Sequence, residues 1–153
     1  MPLSDGSKIG LGNRFKVTVD NGPDLGSWAK AEGLDVSWEV PEYRMGDQWN
    51  ARLIAPANTK YNPVKLTRAT DSEDSPKVKK WLEQNSLNHT INIGVTIELH
   101  ESKKDSPPIM SWDLRNVVVK KWAITTFDAG TGSVAIETLE LDHEGFLEDL
   151  AQL

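Results

Sequence analysis

The chain of 153 residues has no cysteine, so disulfide frameworks, thiolate metal sites and cysteine nucleophiles are excluded. Stability has to come from packing or assembly. Histidine is scarce too: His89, His100 and His143 are the only side chains whose ordinary titration falls near neutrality. No apolar run approaches the roughly 20 residues that span a bilayer. The opening "MPLSDGSKIGLGNRF" lacks the apolar centre of a signal peptide. Cytoplasmic synthesis, with no membrane binding by the subunit itself, is therefore expected. Basic charge is the minority, with 17 Lys and Arg against 23 Asp and Glu and a net charge of -6. The overall field thus repels phosphate backbones and anionic lipid.

What is present is ordinary for a globular protein: 38% hydrophobic and 26% charged residues, in a length that suits one core. A single domain over 1–153 is expected, with 1–13 as a surface arm of Gly, Ser and Asp without periodicity. In "RFKVTVD" the residues Phe15, Val17 and Val19 share one face of a strand, and "DNGPD" turns the chain. "GLDVSWEV" repeats the alternation with Leu34, Val36, Trp38 and Val40, and Pro41 ends it. From Glu42 to Pro63 two prolines, a glycine and several Asn residues predict a long loop, and loops of that length usually bind something. "PVKLTRA" resumes strand character.

The period then changes. Ser75, Pro76 and the acids Asp71, Glu73 and Asp74 mark a helix start. Val78, Trp81 and Leu82 form one apolar stripe, with Lys77, Lys79, Lys80 and Glu83 left for solvent. Beyond it, Ile91, Ile93, Val95, Ile97 and Leu99 alternate in a long strand, and Met110, Trp112 and Leu114 in another. Val117-Val118-Val119 is unbroken and predicts burial on both faces. In the last strand, Val134 to Leu141, the apolar parity slips between Ile136 and Leu139, as a bulge or two-sided burial would cause. The reading is mainly β with one flanking helix: about seven strands in an antiparallel β-sandwich or open barrel.

Candidate chemistry is thin. A catalytic histidine needs a nucleophile beside it and a carboxylate behind it, and a metal site needs several ligands at set spacing. Neither pattern occurs, His143-Glu144 included, so no catalytic residue, cofactor or metal is expected. "GLG" at Gly10 to Gly12 and "GTG" at Gly130 to Gly132 lack the strand-before, helix-after context of a phosphate loop, and the second reads as a hairpin turn. Of six tryptophans, Trp38, Trp81 and Trp112 lie on the apolar parity of their elements and are core or interface anchors. Trp28, Trp49 and Trp122 are open, and a row of exposed rings would suit a monomeric carbohydrate-binding module.

Several stretches together resemble the inner tail tube proteins of contractile phage tails and bacterial contractile injection systems, relatives of the haemolysin-coregulated tube protein. They are "NRFKVTVD" (Asn13 to Asp20), "AEGLDVSWEVPEYRMG" (Ala31 to Gly46) with its E-Y-R-x-G turn, and "TKYNPVKLTRATD" (Thr59 to Asp71) with K-Y-x-x-V/I-x-L-x-R. "VKKWLEQN" (Val78 to Asn85), "WDLRNVVVKKW" (Trp112 to Trp122) and "VAIETLELDHEGF" (Val134 to Phe146) follow in order. The resemblance implies a tail-tube-like fold without catalytic activity. It implies homohexameric rings stacked into a hollow tube that carries cargo inside a contractile sheath. The implied partners are self, the sheath protein, baseplate and tube-terminating proteins and luminal cargo, and the subunit would end up in a phage tail or injection particle. An adaptor ring at the tube-baseplate junction is the alternative. The 42–63 loop is expected to carry assembly contacts, with Tyr43, Arg44, Met45, Trp49 and Tyr61 as anchors, since aromatic and Arg residues dominate interface energy. Trp49→Ala is expected to spare the fold and weaken assembly. The lumen is expected to be polar and rather acidic.

Overall fold

The computed structural model describes residues 14–43, 53–54, 58–88, 93–101, 107–125 and 135–148. The alternation at Phe15, Val17 and Val19 becomes β1 (Arg14–Val19), with Val17 and Val19 buried. The chain turns through Asn21 at φ 57°, a left-handed position that Asn tolerates. It returns as β2 (Asp24–Trp28). After Ala29 alone it enters β3 (Lys30–Glu32), which belongs to a different sheet. The Ala29 N–H donates to Thr67 O at 3.1 Å, which fixes that corner.

Two short ribbons follow from β4 (Val36–Trp38), β5 (Glu42–Tyr43), β6 (Leu53–Ile54) and β7 (Thr59–Tyr61). β4 pairs with β7, and β5 with β6. The expected long loop over 42–63 therefore contains strand pairing of its own. β8 (Val64–Ala69) precedes α1 (Asp74–Asn88), and β9 (Val95–His100), β10 (Met110–Leu114), β11 (Val118–Thr125) and β12 (Ile136–Asp142) complete the chain. One four-stranded sheet runs β10-β9-β1-β2 and the other β11-β12-β8-β3, with every pairing antiparallel. Mainly β with one helix is thus the observed class. Among the described residues the two sheets stay open, as an antiparallel β-sandwich or open barrel requires.

The helix forms where its sequence predicts, but it starts at Asp74, with Ser75 and Pro76 already inside its first turn. The Asp71 Oδ1 accepts the Glu73 N–H at 2.7 Å just before that turn, and the Ser75 Oγ reaches back to accept the Asp71 N–H at 3.0 Å. Val78 and Trp81 are buried and Leu82 half-buried, while Lys77, Lys79 and Lys80 are exposed. This stripe joins Leu25, Trp28, Ile97 and Leu114 of the first sheet and Val64, Leu66, Leu139 and Leu141 of the second in one core.

Three strand expectations are corrected. Trp38 and Val40 carry the right parity but are 53% and 57% exposed, because among the described residues β4 pairs only with β7 and stands outside both four-stranded sheets. Val117 is buried, but Val118 is 66% exposed, since β11 is an edge strand whose outer side has no partner among the described residues. In β12 the inward positions are Glu137, Leu139 and Leu141, so the parity never slips; a charged residue occupies one core position. The irregularity falls instead on β11, where pairing skips Lys120 between Val119 and Lys121.

Candidate assembly surface

A polar knot positions the sheets. Glu137 is 0% exposed, and its Oε1 accepts from Arg68 Nε at 2.5 Å and from Ser75 Oγ at 3.0 Å. Its Oε2 accepts from Trp122 Nε1 at 3.0 Å. The Arg68 Nη1 donates to Leu25 O at 2.7 Å, and the guanidinium lies 3.9 Å over the Trp28 ring. One carboxylate and one guanidinium thus tie β2, β8, β11, β12 and α1 together. Gly26 makes room for this: at φ +85° its backbone runs so close that a Cβ would sit 2.5 Å from Asp74 Oδ2 and 2.9 Å from Arg68 Nη1. The knot has the composition of a catalytic dyad, but both carboxylate oxygens are committed and no surface reaches Glu137. A buried pair whose carboxylate is fully engaged, with only the Arg68 Nη2 left without a partner among the described residues, specifies arrangement rather than chemistry.

A second cluster closes the opposite question, whether Asp142-His143-Glu144 is a site. β12 ends at Asp142, and the His143 ring then packs on Tyr61 with centroids 5.4 Å apart and on Phe146 at 5.9 Å. The His143 Nε2 lies 3.1 Å from Asn62 O. Burial pushes the His143 pKa down, only partly opposed by the Asn62 carbonyl and by Asp142. Asn116 Nδ2 donates to Glu144 at 2.5 Å, and the Arg115 N–H donates to Gly145 O at 3.0 Å. These contacts stitch a strand end to its neighbours. A shallow pocket of about 490 Å³ beside it, lined by Asn116, Val118, Val119, Lys120, Asp142, His143 and Glu144, has no hydroxyl or thiol nucleophile. Among the described residues no group of His, Asp and Glu could hold a metal ion.

What the surface does offer is apolar area and open strand edges. Val36 and Tyr61 face each other across the β4–β7 ribbon, as do Trp38 and Thr59 two residues further. The half-buried end of this apolar face rests on His143 and Phe146, and its other end, at Trp38, is exposed. Met110 on edge strand β10 and Val118 and Ile124 on edge strand β11 are exposed as well. Single exposed apolar residues are unremarkable, but unpaired edges that carry them are association sites unless blocked.

Of the expected anchors, Tyr61 lies in β7, where its hydroxyl accepts the Leu147 N–H at 3.4 Å. Tyr43 lies in β5. Arg44, Met45 and Trp49 fall outside the described residues. The expected reading missed Glu137 and Val40, and gave Trp38 only as a core or interface anchor. Glu137 shares the parity of Leu139 and Leu141, but its charge reads as solvent-facing. Of the five described tryptophans, Trp28 and Trp81 are buried, Trp112 and Trp122 half-buried and Trp38 alone exposed. They form no sugar-stacking row.

Residues 11–147 match the T4-like virus tail tube protein gp19 family. None of the curated proteins compared matches the chain. Among solved structures it is similar to a chain of the PVC extracellular contractile injection system sheath/tube terminator in the extended state, at TM-score 0.72 and 21% identity over 94% of this chain and 98% of that one. It is also similar to a chain of the PVC sheath-tube complex, at 0.69 and 21% over 88% and 86%. A chain of the anti-feeding prophage baseplate aligns at 0.70 and 20% over 96% of both. At such identities the likeness is one of fold.

Proposed function

Since the chain belongs to the T4-like virus tail tube protein gp19 family, we propose that it is a structural, non-catalytic subunit of the inner tube of a contractile injection system or phage tail. Six copies form a ring, and rings stack into a hollow tube that carries cargo inside a sheath. The sixfold number is taken over from the six-fold symmetrised anti-feeding prophage baseplate, and the sheath partner from the PVC sheath-tube complex. The 1–153 chain acts as one domain, and its 42–63 stretch, with Tyr43, Arg44, Met45, Trp49 and Tyr61, carries assembly contacts.

The observation that carries this reading is that two of the four outer strands, β10 and β11, one on each sheet, have no partner on their outer side among the described residues and carry exposed apolar side chains, together with an apolar ribbon that is exposed at Trp38. A monomer would leave these unpaired, whereas a head-to-tail contact covers them and closes a ring when its rotation allows. Negative-stain electron microscopy over a concentration series, with native mass in parallel, tests it. Rings or tubes of uniform width are expected. A monomer at every concentration, even with the sheath protein present, would sink the reading.

A second reading, a ring at the tube end or tube-baseplate junction, is favoured by the likeness to the PVC sheath/tube terminator. It predicts one ring that never extends.

A further inference from the structure

His143 stands where the segment after β12 meets the β4–β7 ribbon. Its Nε2 faces Asn62 O at 3.1 Å. A carbonyl only accepts, so Nε2 carries the proton, and Nδ1 of the neutral ring is a bare lone pair. That Nδ1 is buried and has no hydrogen-bond partner among the described residues. A second proton would therefore sit on a buried nitrogen of a half-buried ring with its N–H unsatisfied, a cost that opening of the contact relieves.

The charged groups around the ring offset this only in part, Asp142 favouring the cation less than burial disfavours it. From β12 and its continuation come Asp142 and Glu144. Asp142 Oδ1 already accepts the His143 backbone N–H at 2.9 Å, and Glu144 is tied to Asn116. From the β10–β11 side Arg115 opposes a positive ring, and Lys120 lines the same pocket. From the ribbon the facing titratable group is the Tyr61 phenol, which the Leu147 N–H engages. Burial accordingly holds the His143 pKa below its ordinary value of about 6.5.

The contact also reaches the apolar face. Gly145 at φ +140° lies so close to Tyr61 that a Cβ there would be 2.8 Å from Tyr61 Cε2, so the segment after β12 packs directly against the ring. Tyr61 is paired with Val36, two residues before Trp38. We propose that His143 is an acid-sensitive latch on the assembly surface: neutral, it holds the segment after β12 against the β4–β7 ribbon, and protonated, it lets the two part and loosens the assembled form. Only the last step rests on the tube reading.

The sign follows from linkage. The opened state binds the proton at about pH 6.5 and the closed state only at lower pH, so closure is fully favoured above 6.5 and weakens as pH falls below it. The opening constant rises on the order of tenfold per pH unit until the closed state also protonates.

Hydrogen exchange of the full chain between pH 7.5 and 5, corrected for intrinsic rates, reads the peptides over 59–62 and 143–147. Protection there is expected to fall with pH in the native chain and to stay flat in His143→Gln, with β1 and β9 unaffected in both. Flat protection in the native chain, or an equal fall in His143→Gln, would overturn the latch. Should His143→Gln not fold, the His143 ring titration followed by NMR in the native chain decides: a midpoint at or above 6.5 overturns the latch, and one below it, with Tyr61 signals moving in step, supports it. Electron microscopy across the same pH range separates the two claims. Tubes that persist at pH 5 while the latch opens overturn its link to assembly and leave the tube reading intact. Absence of tubes at every pH removes the tube reading while the exchange result stands.

Discussion

The knot at Glu137 and the cluster at His143 are both polar groups embedded in aromatic surroundings, and they behave in opposite ways. Glu137 is sealed in the core with every oxygen engaged by Arg68, Ser75 and Trp122. His143 is half-buried at the rim with one nitrogen engaged. A saturated polar group joins elements permanently, because no other arrangement satisfies it. A half-satisfied one leaves its elements poised, since a single proton changes the balance. The contrast places rigidity between the sheets and adjustability at the ribbon that leads to the exposed Trp38.

Breaking the knot should have the largest effect. Arg68→Ala strands a buried carboxylate and should cost about 3–5 kcal/mol in urea unfolding. The double change Arg68→Met with Glu137→Leu removes both charges and should recover most of that loss. A double variant as unstable as the single one would mean that the pair contributes more than arrangement. Tyr61→Ala comes next: it removes a half-buried ring from the His143 cluster, with an expected loss of about 1–2 kcal/mol. Comparable losses at Tyr61 and Arg68 would erase the distinction between rim and core.

Trp38→Ala should be nearly silent in the isolated subunit, within about 0.5 kcal/mol, yet weaken assembly by shifting ring formation to higher concentration. Sedimentation at graded concentrations measures this, and unchanged assembly would remove Trp38 from the surface. The smallest effect belongs to Asp71, whose carboxyl is held below the ordinary range by the Glu73 backbone N–H. Its lowered pKa means that the cap stabilises the fold above the ordinary Asp value and that this is lost as pH falls through the folded value. Asp71→Ala should therefore narrow its gap to the native chain between pH 7 and pH 3 in thermal melts, and a constant gap would contradict the cap.

Local pattern was enough to place several elements and to misplace the surroundings of others. β1, β8 and α1 were legible because their apolar periods and caps are properties of neighbouring residues. The anchors Arg44, Met45 and Trp49 came from the resemblance alone and lie outside the described residues. Glu137 was hidden because a charged residue in a strand is ordinarily taken for the solvent face, and only its partner across the sheet, Arg68, reverses that reading.

The sequence by itself determined the family, the β-rich class, the single helix with its apolar stripe and the lack of thiol chemistry. The family came through the resemblance of ordered stretches, and the rest follows from composition, order or local periodicity. Tertiary structure decided which side of each strand is inside. Strand parity divides residues into two faces but does not say which is buried, and that depends on what lies opposite. Pairing with β8 turned Glu137 inward. Pairing with β7 alone, outside both sheets, left Trp38 in the open. The edge position of β11 exposed Val118 within a run that reads as core. For the same reason Asp142-His143-Glu144 is a strand end whose histidine takes its character from Asn62 and Tyr61, residues some eighty positions away that only the fold brings beside it.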